Sequence, residues 1–254
     1  MKSYYFYILI IFIISGCSSM YIPSPKNTPL FEEKGEVQIE VGASTNSIFL
    51  TGNYAFSEKY AFISNGCLSF RNFSSIYDIG DIRSYNELTI FTSGYGAHRS
   101  FEAGLGRYNI FPTLPHRIET FLVLGYGSCD YDNKDYYSEY LQGYFQMNIG
   151  KRFKHFEIGW SVHLAYSHFY CKYADYVPQP DLMLNKREII YKNFGTINPG
   201  ALLFLKFGGS NLKSFFRSGF NLTYPLTSNA LINNSNFDGG YTRFHLSIGL
   251  SYRF

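Results

Sequence analysis

From Glu36 onward the chain alternates between bulky apolar and small or polar residues. The stretch FEIGWSVHLAYSHFY shows it best. Phe156, Ile158, Trp160, Val162, Leu164 and Tyr166 stand at every second position, with Glu157, Gly159, Ser161, His163, Ala165 and Ser167 between them. A strand sends successive side chains to opposite faces, so each such stretch predicts a strand with one apolar face and one small or polar face. YTRFHLSIGLSYRF repeats the pattern at 241–254, and similar stretches run over 36–43, 47–56, 60–71, 101–111, 118–131, 139–153, 156–172, 189–207 and 215–226. Short links such as SEKY (57–60) and KH (154–155) join some pairs. Longer polar segments join others, at 72–84, 132–138, 174–188 and 227–240. That rhythm predicts an antiparallel up-and-down β-barrel of about ten strands. A further stretch, ELTIFTSGYGA (87–97), would make eleven. Both ends of the barrel are expected on one side, which requires an even count. The stretch is therefore read as an extension within a long outer hairpin, with twelve strands as the alternative.

Alternation alone also suits a soluble sandwich, in which the bulky face would fill a core. Composition favours lipid. Aromatic residues make up 20% of the chain, from 25 Phe and 24 Tyr against one Trp, while charged residues are scarce at 16%. After residue 17 no run approaches the roughly 20 apolar residues of a transmembrane helix. The expected fold class is all-β, a transmembrane barrel with its bulky face to lipid and its small polar face inside.

The first residues differ. Lys2 precedes an uncharged run from Ser3 to Ile14, the length of a signal-peptide core. Ile14, Ser15, Gly16 and Cys17 then resemble the lipobox of bacterial lipoproteins, which implies removal of 1–16 and acylation of Cys17, palmitate included. Ser18 and Ser19 follow, without an Asp, which leans towards the outer membrane. Residues 18–35, rich in Pro and Ser and without alternation, read as a flexible periplasmic tether. The organisation is thus a signal peptide (1–16), a lipidated N-terminus and tether (17–35) and a barrel (36–254). The final strand, with Gly249, Tyr252 and a terminal Phe254, resembles the signal read by the barrel-assembly machinery. IISGC (13–17), PLFEEKGE (29–36), GNYAFSEKYAFISNG (52–66), FEAGLGRY (101–108) and NPGALLFLKFG (198–208) together resemble a family of uncharacterised outer-membrane β-barrel lipoproteins from Bacteroidetes-type bacteria. The resemblance implies fold and location: the outer membrane of a Gram-negative bacterium, with the N-terminus lipid-anchored on the periplasmic side. It supplies no catalytic residues.

Charge and chemistry refine this only a little. A formal net charge of +3 is too small to argue for nucleic acid. Glu36, Glu119, Glu157, Lys206, Arg217 and Arg253 all fall on the inner face near the periplasmic end. Mixed signs read as an electrostatic plug, whereas a selective pore would favour one sign along the lumen. Ser161, His163 and Glu157 share a face and raise a lipid-modifying hydrolase. They point inward, however, and a spacing of two along a strand suits a polar ladder better than a triad. Cys67, Cys129 and Cys171 match no zinc spacing. Cys129 and Cys171 lie near outer strand ends, where a disulfide is conceivable but unpaired thiols are expected. Asp130, Asp132 and Asp135 lack EF-hand spacing and read as a solvated loop rather than a calcium site. The formal sequons at Asn72, Asn221 and Asn233 are read as chance in an exported bacterial protein. No metal or cofactor is expected. The expected role is structural, surface-interacting or that of a complex subunit rather than enzymatic, with loops 132–138 and 227–240 as the contact surface. A narrow channel for small solutes and the hydrolase are the alternatives. Expected partners are membrane lipids, the lipoprotein-processing and barrel-assembly machineries, and an outer-membrane or surface protein the sequence does not identify.

Overall fold

The structure, a computed structural model, describes residues 26–44, 47–75, 92–111, 113–131, 136–178, 185–226 and 241–254. The described residues form ten strands: β1 (Val37–Ser44), β2 (Ser47–Tyr54), β3 (Tyr60–Ser75), β4 (Thr92–Arg107), β5 (Arg117–Tyr131), β6 (Tyr136–Arg152), β7 (Phe156–Pro178), β8 (Asn185–Gly208), β9 (Leu212–Pro225) and β10 (Tyr241–Arg253). Each strand pairs antiparallel with its chain neighbour, and β1 pairs with β10, so the sheet closes on itself. The closing seam runs from Gln38 opposite Arg253 to Ser44 opposite Ser247. Closure leaves no sheet edge, the condition for strands to cross a lipid bilayer.

The two faces differ as the alternation requires. Leu122, Leu124, Leu203 and Ile248 on the outside are 59–69% exposed, and outward Phe, Tyr, Ile and Val residues continue the band around every strand. An apolar surface that wraps the whole molecule is far larger than the few hundred Å² a soluble monomer tolerates, so lipid is its solvent. Aromatic pairs mark the rim where β6 meets β7 and where β10 ends: Phe153 stacks on Phe156 at 4.7 Å, and Tyr252 packs edge-on against Phe254 at 4.6 Å.

Three of the four connections at one mouth are tight, the β4–β5 link being longer. Ser57 Oγ accepts the amide protons of Lys59 and Tyr60 in the β2–β3 turn, and Gly208 (φ 148°) opens the β8–β9 turn. β1 begins and β10 ends at this same short-turn mouth. At the other mouth, β7 and β8 outgrow their neighbours. Their pairing continues from Lys172 opposite Tyr191 to Pro178 opposite Asn185. By contrast β6 has paired with β7 only as far as Tyr173, and β9 with β8 only as far as Thr196. The surplus stands clear of the barrel as a two-stranded ribbon. The reading of 87–97 as a hairpin extension is resolved in part, since 92–97 open β4 itself while 87–91 lie outside the described residues.

One expectation is corrected. Residues 18–25 lie outside the described residues, but 26–31 are no tether. They are buried inside the barrel, Lys26 at 1% exposure and Thr28, Leu30 and Phe31 at 0%. The exposed turn Glu32–Gly35, with Gly35 at φ 90°, then leads back through Glu36 into β1. A lumen lined with polar groups needs hydrogen-bond partners, and this segment supplies them.

Candidate functional site

The inner face near the short-turn mouth carries a continuous ion network. Glu157 Oε1 accepts Lys213 Nζ at 2.6 Å and Arg253 Nη1 at 2.9 Å. Lys206 Nζ lies 3.9 Å from the other Glu157 oxygen and 2.7 Å from Glu40 Oε1. Arg217 pairs with the second Glu40 oxygen and lays its guanidinium over the Phe215 ring, 4.4 Å from the centroid. Arg253 Nε reaches Glu36 at 2.6 Å, and Arg152 bridges Glu36 and Glu157 at 3.2 and 3.5 Å. Five of the six charges expected inside, Glu36, Glu157, Lys206, Arg217 and Arg253, therefore form one linked set. Its links run through Glu40, Lys213 and Arg152, which sequence reasoning missed. Glu40 was legible, since it follows the same alternation as Glu36. Arg152 and Lys213 sit beside short links, where the pattern loses its phase.

Glu119, the sixth, does something else. Its two oxygens accept the main-chain N–H groups of Phe31 at 2.6 Å and Leu30 at 3.2 Å, and Asn148 Nδ2 at 3.2 Å. Leu30 adopts a positive φ of 52°, which turns two consecutive amides towards one carboxylate. The rest of the segment is held just as closely. Arg253 Nη2 donates to Pro29 O at 2.8 Å and Lys206 Nζ to Thr28 O at 2.7 Å. Gln146 and Asn148 both donate to Asn27 O, while Asn27 Nδ2 donates to Ser64 O. Lys26 Nζ meets Glu102 Oε1 at 3.3 Å and sits 3.7 Å from the centre of the Tyr144 ring, whose hydroxyl donates to Glu102 Oε2. The Phe31 ring packs at 5.5 Å from Tyr108. Leu30 fits where Gly150 has no side chain, since a Cβ there would lie 2.6 Å from Leu30 Cδ1.

These contacts set the direction of the segment. Glu102 and Tyr144 lie five and eight residues inside the short-turn ends of β4 and β6, whereas Arg253 and Glu119 lie at or near the ends of β10 and β5. The chain thus descends from Lys26, partway up the lumen, to Phe31 at the mouth. No pattern in KNTPLF announces this, because the lumen grips its main chain and alternation has no bearing on that.

The hydrolase constellation does not assemble as a triad. Ser161 Oγ is buried without a hydrogen-bond partner, His163 Nε2 is paired with Asn221 Oδ1, and Glu157 is committed to the ion network. Cys129 and Cys171 are buried on strands either side of β6, and Ser138 lies between them in register. Gly249 lies in the seam opposite Gly42, and Tyr252 and Phe254 face outward. Cys17, Asp132, Asp135 and the loop 227–240 lie outside the described residues. Among the described residues no group of three His, Cys, Asp or Glu side chains could hold a metal ion.

Fold and floor define a membrane-embedded ten-stranded barrel whose short-turn mouth is crossed by a segment of its own chain. Comparison with protein-family models and with curated protein sequences returns no match. Solved structures do match. The outer membrane protease OmpT from Escherichia coli is 12% identical over 87% of this chain and 93% of that one, with a TM-score of 0.47. The N-terminal β-barrel domain of Pseudomonas aeruginosa OprF is 10% identical over 88% and 100%, with a TM-score of 0.32. The translocator domain of the autotransporter NalP from Neisseria meningitidis is 10% identical over 86% and 87%, with a TM-score of 0.38. At these values the likeness is one of barrel architecture, and no activity, substrate or partner passes from these proteins to this chain.

Proposed function

We propose that this is an outer-membrane barrel lipoprotein, acylated at Cys17, whose lumen is kept shut and whose role is structural or interactional rather than one of transport. The observation that carries the closed lumen is the seating of Asn27–Phe31, whose main chain is bonded to β5, β6, β8 and β10 together. A narrow channel would need that segment displaced. The ion network supports the same reading, since carboxylates and cations alternate across the floor instead of presenting one sign to a permeating ion. Contact with a partner falls to the long-loop side, where the β7–β8 ribbon stands clear of the barrel and Tyr191 is 71% exposed. Planar-bilayer recording tests the closed state. The intact protein is expected to show no steady openings, and steady conductance from it would overturn the reading. Co-purification from native membranes tests the interaction role, with loss of the partner expected when 174–189 is replaced by a tight turn.

A further inference from the structure

The lumen floor grips residues 27–31 by their main chain. Its hydrogen bonds to residues 27–31 go mainly to main-chain atoms, the carbonyls of Asn27, Thr28 and Pro29 and the amides of Leu30 and Phe31. Such bonds read a backbone that turns at Leu30, and the atoms they engage are common to most side chains it could carry. Side-chain selection falls on Lys26, Asn27, Leu30 and Phe31, and the Asn27 amide donates to Ser64 O and accepts from Asn53 Nδ2. Lys26 enters a site made by the Glu102 carboxylate and the Tyr144 ring, and Leu30 and Phe31 enter the apolar floor beside Gly150 and Tyr108. Position 28 is undemanding. Thr28 Oγ1 is buried without a hydrogen bond, and Asn53 Oδ1 and Gln146 Oε1, in the side chains that hold Asn27, are likewise unbonded acceptors. Only Glu32–Gly35, exposed on the short-turn side, joins the seated residues to β1.

We propose that the lumen floor is a binding site for a peptide with a cationic first residue, an amide side chain at its second position and a bulky apolar pair at its fifth and sixth, where the backbone turns. Residues 26–31 are its resident occupant, and a second peptide of that sequence can replace them. The inference rests on the closed-lumen reading, because an empty floor would have no occupant to exchange. Full-length protein carrying a protease recognition sequence between Glu33 and Lys34 tests it. After cleavage, the folded barrel is incubated with a large excess of fluorescent Lys-Asn-Thr-Pro-Leu-Phe-Glu peptide. Saturable uptake is expected by the cut protein and not by the uncut one. A peptide bearing the Lys26→Glu change is expected to bind about tenfold or more weakly, as loss of a buried charge-assisted contact implies. Glu119→Gln in the barrel should weaken uptake of the unaltered peptide by about the same factor, with heat-modifiable gel migration confirming that the variant is folded. Absence of uptake by a cut, folded barrel overturns the proposal, as does uptake that neither change weakens. Recording from the uncut protein separates the two ideas. Steady openings there overturn the closed lumen, whereas a silent uncut barrel that takes up no peptide once cut overturns the exchangeable site alone.

Discussion

At the scale of single residues, Glu119 is the most consequential side chain in the lumen. Its carboxylate holds two consecutive amides, and bonds to a charged acceptor contribute about 1.5–3 kcal/mol each. Glu119→Ala is therefore expected to lower barrel stability by about 3 kcal/mol or more and to produce intermittent openings in planar bilayers. Alternation was enough to put Glu119 inside. It could not show that the partner would be a backbone rather than a cation, because nothing in PLFEEKGE signals that Leu30 turns its amide inward. Gly150 is the complementary case. A side chain there would collide with Leu30 Cδ1 at 2.6 Å and Ile158 O at 2.9 Å. Gly150→Val is expected to cost about 1–3 kcal/mol by overpacking, read as a lower denaturation midpoint with an unchanged gel-shift at low temperature.

At the scale of elements, the strands that face lipid along their whole length were legible, and those that leave it were not. β5 and β9 keep a lipid-facing residue at every second position over most of their length, although Phe121, Val123 and Phe215 also put apolar side chains inside. β7 and β8 continue into KYADYVP and NKREII, a ribbon paired only with itself beyond the barrel, where the sequence does not alternate. Residues 26–31 misled for a related reason, since a proline-bearing stretch without periodicity looks like a tether whether it is solvated or gripped by its main chain. The seam makes its own demand. At Gly249 a Cβ would lie 2.2 Å from Val41 O and 2.5 Å from the tip of Phe215, and at Gly42 it would lie 2.7 Å from the same ring. β1 and β10 close only because both positions lack side chains. Gly249→Leu is expected to abolish the compact, heat-modifiable species, while Ser251→Ala, which loses one bond from Gln38, should retain it.

At the scale of the whole molecule, the outer band and the inner network obey opposite rules. Leu124, 69% exposed on the outside of β5, meets lipid, so Leu124→Arg should cost about 2–4 kcal/mol in equilibrium unfolding from bilayers if it lies near the midplane. Inside, charges are tolerated only in company. Glu40→Leu strands Arg217 and leaves Lys206 only the more distant Glu157 carboxylate, and is expected to cost about 3–5 kcal/mol. The combined change Glu40→Leu, Lys206→Met and Arg217→Met should be milder than Glu40→Leu alone, because no charge is left without its counterpart.

The seated segment also acts as an inspector of assembly. Phe31, Thr28 and Pro29 are held by Glu119, Lys206 and Arg253, which follow them in the chain by 88, 178 and 224 residues. A slip of one residue in β5, β8 or β10 would turn that strand's anchoring charge from the lumen to the lipid. Only a barrel with all three in register offers every bond the segment needs. Occupancy of the floor is thus a readout of error-free closure, since it draws on β5, β8 and β10 at once.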